Sequence, residues 1–290
     1  MNTLELKPIY TAQHREAIKE ASLVLTAMDI GHQVSSQDGV WILAVAPEDE
    51  AKAHHQLAMY WRENSTPEPA PVQAVTIDSG WGGVLGYLTV IWSLPVLQGF
   101  TSTSLSTAGV LHAEAISAGE LFRAATALTL HADINHILAN SLFGALFGLF
   151  VGRYLGSGFG WLVVLICGIA ANLLNGFLQP DAFRALGAST ATFAALGLVP
   201  AFGWRRGYFR RGDFKRGFAP IFGAIAILAF TGFGGQRIDV FGHLFGFIAG
   251  IVTGLAVAHV KVQTRTLADQ WRAGGLALGL IGIAWGFALS

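Results

Sequence analysis

The stretch "DVFGHLFGFIAGIVTG", Asp239 to Gly254, carries most of the architectural information in this chain. After Asp239 it holds no charge, and Gly246, Gly250 and Gly254 recur every four residues behind a single histidine, His243. A four-residue repeat puts the three glycines on one face of a helix. In water such a helix is poor, because each glycine costs roughly 1 kcal/mol against alanine. In a bilayer the same face lets two helices approach until their backbones touch. The stretch therefore predicts a membrane helix packed tightly on a neighbour, with His243 close to one end.

The composition of the whole chain agrees. Of 290 residues, 53% are hydrophobic and 12% charged, and the mean hydropathy is +0.52, whereas a soluble domain is about a quarter charged. The 18 basic and 18 acidic residues cancel, which argues against a general nucleic-acid binder. Cys167 is the only cysteine, so neither an intrachain disulfide nor a zinc-type cysteine cluster is possible. Apolar segments near membrane length recur at about 81–100, 134–152, 159–178, 187–204, 217–234, 240–260 and 274–290. The last is short and glycine-rich, so the count stands at six or seven helices.

The basic residues give these spans a direction. "WRRGYFRRGDFKRG", Trp204 to Gly217, has six Arg or Lys in fourteen residues and is expected on the cytoplasmic side. Lys261, Arg265 and Arg272 mark the same side two helices later, and Arg153 two helices earlier. The first twenty residues are charged and lack an apolar leader, which also predicts a cytoplasmic N-terminus. The polar connection Thr101 to Asp133 then faces the other way. Its part "HAEAISAGELFRAATAL" is apolar enough to lie in the interface as a re-entrant or amphipathic segment.

Residues 1–62 read as a small soluble α+β domain in the order β-α-β-β-α, with Gln37-Asp38-Gly39 as a hairpin turn and Pro47 opening the second helix. Its adjacent His54 and His55 cannot share a helix face, so they are not expected to bind a metal. Residues 63–79, with three prolines in five positions, read as an extended linker.

Polar groups are rare in residues 80–290, and four fall at one depth. Ser189 lies about three residues inside the outer end of its span, and His243 about four inside its own. His136 and Asn140 sit about one and two turns into theirs. At about 1.5 Å per residue each lies within roughly 10 Å of the outer surface. Polar groups at such positions are expensive and suggest function. Taken alone, Ser189 in "ALGASTATFAALG" is as well explained by close helix packing. With a base nearby it becomes a nucleophile, and His136 and Asn140, four apart on one face, can both donate to an oxyanion. Asp239, one turn before His243, either caps its helix or orients the imidazole. Asn172 and Asn175 read as interhelical hydrogen-bonders.

These motifs resemble those of the rhomboid family of intramembrane serine proteases over about residues 80–260. The likeness rests on "HADINHILAN", "GAS" and "GHLFGFIAGIVTG", with "ELFR" at Glu120 to Arg123 and "LGSG" at Leu155 to Gly158 as lesser matches. It implies Ser189 as nucleophile, His243 as general base, His136 and Asn140 in the oxyanion hole, and supporting roles for His131, a structural histidine, and Gly187. Three positions depart from the family pattern: Thr190 stands where glycine is common, Phe193 keeps an aromatic ring without a hydroxyl, and Gly152 replaces a frequent glutamate.

The expectation is a mainly α protein. It comprises a polytopic membrane helix bundle over 80–290, with a rhomboid-like six-helix core plus a C-terminal seventh helix, preceded by the small α+β domain. By the resemblance it is a serine-type endopeptidase that cuts single-span transmembrane proteins. It would need no metal or other cofactor, bind no nucleic acid, and reside as a multi-pass protein in a bacterial inner membrane. The alternatives are a catalytically silent rhomboid-like protein that binds transmembrane clients, and a small transporter. The transporter predicts polar groups at the bilayer midplane instead of toward one face.

Overall fold

The computed structural model describes residues 6–64, 73–208, 220, 223–227 and 239–290. The expected span 217–234, apart from helical residues 220 and 223–227, lies outside the described residues, as does most of the basic stretch 204–217. The chain divides into two compact units, residues 1–68 and 69–290.

In the first unit, β1 (Lys7–Ala12), α1 (Arg15–Ala27), β2 (His32–Gln37), β3 (Val40–Val45) and α2 (Glu50–Asn64) follow in the expected order. The sheet is antiparallel with β3 central, in the order β1-β3-β2. Asp38 and Gly39 both have positive φ, 50° and 79°, as the tight mirror-image hairpin turn requires. Ile18, Ala21 and Leu25 of α1 and Ala53 and Leu57 of α2 close a core over Leu43 and Val45.

The second unit is helical. Its long helices are α3 (Trp81–Gln98), α7 (Ile134–Leu155), α8 (Ser157–Leu178), α9 (Ser189–Arg205), α10 (Val240–Val257) and α11 (Leu267–Leu289). Of these, α7, α8, α10 and α11 are long and apolar enough to cross a membrane by length and composition. The C-terminal helix starts seven residues before the expected 274 and has 23 residues, so it is not short. Its polar first turn hid the start: Thr266 and Asp269 form a reciprocal capping box there. The supposed linker also ends early. Ile77 N–H donates to Arg153 O at 2.7 Å, and Asp78 Oδ2 accepts from Ser157 N at 2.8 Å.

The connection 101–133 folds into short helices, α4 (Leu105–Gly109), α5 (Ala113–Ser117) and α6 (Arg123–Thr126), and a short strand, β4 (Leu111–His112). Strand β4 pairs with β5 (Arg184–Ala185), just before Ser189. This segment packs on protein: Ile116, Ala124 and Ala127 are buried against Ile169 and Leu173 of α8. Arg123 organises it, donating to the carbonyls of Thr107, Ala108 and Val110 at 3.2, 2.9 and 3.1 Å and to Glu120 at 2.6 Å.

Among the described residues the closest helix pair is α9 with α10, and its glycines explain why. A Cβ on Gly246 would strike the carbonyl of Thr190, one on Gly250 that of Ala194, and one on Gly254 that of Leu198. Gly152 has a similar reason: a Cβ there would come 2.5 Å from Gly80 Cα, leaving no room for a glutamate. A cavity of about 550 Å³ lies between α3, α8, α9 and α11, lined by Tyr87, Trp161, Ala191, Thr192 and Leu278. Neither Ser189 nor His243 lines it.

Candidate active site

Ser189 is the first residue of α9, so its amide belongs to the helix's opening turn. The first amide of that turn to find an intrahelical acceptor is Thr192 N, on Ala188 O at 2.9 Å. The amides ahead of it point outward at the positive end of the helix dipole. Close packing of α10 on α9 then delivers the partner: His243 Nε2 lies 2.8 Å from Ser189 Oγ. With its proton on Nδ1, this imidazole accepts the serine hydroxyl at Nε2. His243 is only 7% exposed, and the Phe193 ring covers it at 4.4 Å between centroids. Thr190 is buried, with its methyl toward Gly246, so it fills the helix interface and not the space before Ser189.

Asp239 is a cap. Its Oδ1 accepts from Gly242 N at 2.8 Å, and its Oδ2 accepts from Asn175 Nδ2 at 2.7 Å. The carboxylate thereby fixes the start of α10 and ties it to α8. Asn172 makes the other expected cross-link, donating to Ala124 O at 2.9 Å. That Asn175 and Asp239 find each other was not foreseen; the available signal was two polar side chains at the same end of neighbouring spans.

On the other side of Ser189, α7 presents His136 and Asn140. Asp133 caps this helix by accepting from His136 N at 2.9 Å. Ala132 N–H approaches His136 Nδ1 at 3.5 Å, which favours Nδ1 as acceptor and puts the proton on Nε2. Tyr87 OH holds the backbone at Asn140 by donating to its carbonyl at 2.8 Å. Both side chains aim at Gly187, which has φ 130°. A Cβ at Gly187 would sit 2.7 Å from His136 Nε2 and 3.6 Å from Asn140 Nδ2, so hydrogen alone keeps that space open. Asn140 is 5% exposed, and its Nδ2 meets no protein acceptor among the described residues. An oxyanion entering there would meet two side-chain donors.

His131 stands behind His136, edge-on, with ring centroids 5.1 Å apart. Burial pushes its pKa down to about 4, with the nearby His136 adding to the shift. All six residues singled out in the sequence thus meet at one end of the bundle. Among the described residues no group of three or more His, Cys, Asp or Glu side chains converges, and His54 and His55 are exposed on α2.

Comparison with known proteins gives this arrangement its family. Residues 118–260, which contain every one of these side chains, match the rhomboid domain. That stretch carries a rhomboid domain. Rhomboid-like protease 3 of Toxoplasma gondii is 32% identical over 151 residues, covering 51% of this chain and 56% of that protein. Rhomboid protease GluP of Bacillus subtilis (strain 168) is 31% identical over 177 residues, covering 60% of this chain and 34% of that protein. The chain thus spans little more than half of one relative and about a third of the other. With its apolar helices, the rhomboid domain is integral to the membrane.

Proposed function

We propose that the chain is an intramembrane serine endopeptidase that hydrolyses peptide bonds in membrane proteins with a single transmembrane span. The observation that carries this reading is the 2.8 Å contact between Ser189 Oγ and His243 Nε2. It joins residues 54 positions apart on two helices that glycines hold together, so it is not a local accident of sequence. Two relatives named as proteases support the same reading.

The geometry supports the following steps. Ser189 Oγ attacks the substrate carbonyl carbon while His243 Nε2 takes its proton. Negative charge gathers on the former carbonyl oxygen, toward His136 Nε2, Asn140 Nδ2 and the outward amides of α9. When the tetrahedral intermediate collapses, the C–N bond breaks and His243 returns its proton to the leaving amine. A water then attacks the acyl-serine, with His243 again as base, and releases the carboxylate product. Asp239 takes no proton in this scheme: a Ser–His pair suffices where packing under Phe193 orients the imidazole.

The same reading puts the Ser189 end of the bundle outside the cytoplasm and the N-terminus inside, in a bacterial inner membrane. The Arg and Lys distribution supports that direction. Labelling by a fluorophosphonate tests the activity. The wild type is expected to be labelled, and Ser189→Ala and His243→Ala are not. An unlabelled wild type, alongside transmembrane clients that co-purify uncut with both wild type and Ser189→Ala, would replace the enzyme with a client-binding protein.

A further inference from the structure

The C-terminal helix α11 is mostly open on one side. A Cβ at Gly275, Gly279, Gly282 or Gly286 would meet nothing within 4 Å. Trp285 is the opposite case. Its indole N–H donates to Thr129 Oγ1 at 3.1 Å, and the Thr129 hydroxyl passes its own proton to Thr126 O at 2.7 Å. The far edge of the ring fills the space over Gly109, where a Cβ would lie 2.7 Å from Cη2. The ring also belongs to the apolar cluster of Leu94, Leu105, Leu130 and Leu186.

Those neighbours lead directly to the pocket beside Ser189. Thr129 ends the one-turn helix Ala127–Thr129. The carbonyl of Ala127, at the start of that turn, accepts from Gly187 N at 2.9 Å. Leu186 immediately precedes Gly187, and Leu130 immediately precedes His131, whose ring rests on His136. The segments on both sides of the oxyanion pocket are therefore seated against one tryptophan.

We infer that Trp285 is a positioning residue for the oxyanion pocket: from α11 it fixes the turn that holds Gly187 where His136 and Asn140 converge. This rests on the reading of Ser189 and its neighbours as a hydrolytic site. Removing the ring leaves a void at the base of the turn, and a displacement of about 1 Å at a reacting centre costs on the order of a hundredfold in rate.

The test uses the full-length protein and follows fluorophosphonate labelling to completion, so that rate and final labelled fraction are read separately. Trp285→Ala is expected to lower the rate by tenfold or more, on the order set by such a displacement, with an unchanged final fraction. Trp285→Phe keeps an aromatic ring in the cluster but loses the N–H and the far edge of the indole over Gly109, so a loss of at least about threefold, smaller than that of Trp285→Ala, is expected. Ile283→Ala, on the exposed side of α11, should leave the rate alone. An unchanged rate in Trp285→Ala overturns the inference. So does a reduced final fraction with normal rate in the molecules that do react, because that marks a loss of folded protein. A second readout is independent of turnover: in the Ser189→Ala background, the imidazole nitrogen shifts of His136 are expected to move on Trp285→Ala. If they stay fixed, the inference fails. If they move while the wild type does not label, the enzyme reading falls and the positioning role stands.

Discussion

At Gly187 the backbone and the chemistry impose the same requirement. Its φ of 130° is one that a residue with a Cβ rarely adopts, and that Cβ would point into the two donors of the pocket. Gly187→Ala is therefore expected to slow probe labelling of the folded protein by roughly a hundredfold or more, comparable to the loss of an oxyanion donor, while the backbone strain costs about 1–3 kcal/mol of stability. A normal rate in the folded fraction would instead mean that the turn is only structural. His131 makes a different prediction. Its pKa is about 4 in the folded protein, against about 6.5 when unfolded. Between those values the unfolded chain holds a proton that the folded chain does not, so stability is complete above about pH 6.5 and declines on acidification toward pH 4. The slope is on the order of 1 kcal/mol per pH unit within that window. His131→Phe keeps a ring beside His136 and cannot titrate. Its thermal midpoint is expected to fall less than that of the wild type between pH 7 and pH 4.5.

At the scale of elements, the α9–α10 contact sets how far His243 stands from Ser189, and its three glycines lie at graded distances from that pair. Gly246 is one turn from His243 and touches the Thr190 carbonyl, next to Ser189. Gly254 touches Leu198, far along both helices. Adding a methyl at Gly246 is expected to separate the serine and histidine and cut activity by at least about tenfold, more than its cost in stability would account for. Gly254→Ala is expected to lower the thermal midpoint and spare the rate of the folded fraction. Similar behaviour in both variants, read by labelling rate and thermal midpoint together, would mean the interface acts only as glue. This contact was legible in the sequence because a four-residue glycine repeat has few other uses in an apolar segment. The connection 101–133 was not. Helices of four or five residues are too short to show a period, and their order comes from Arg123 reaching carbonyls 13 to 16 positions away. Gly152 was equally opaque, since its meaning lies in Gly80, a contact that only the fold creates.

The whole molecule divides into residues 1–68 and residues 69–290. Every group placed at the site belongs to residues 69–290, and the turn, caps and packing that orient those groups come from the same unit. The N-terminal unit closes its own core, with Ile18, Leu25, Leu43 and Val45 each at most 1% exposed. Its described polar surface includes ion pairs such as Lys7 with Glu50, both well exposed, which add little to stability. A domain of roughly 60 residues is marginal by itself but able to fold. We expect residues 1–68 made alone to unfold cooperatively in urea, followed by circular dichroism. The chain lacking residues 1–70 is expected to react with a fluorophosphonate at a rate within about twofold of the full chain, as distant, independent sites do. On the proposed function, regulation by this unit would then appear with membrane-protein substrates and not with a small probe. If the shortened chain keeps its thermal midpoint yet loses labelling, the N-terminal unit takes part in forming the site, and its description as an independent module is wrong.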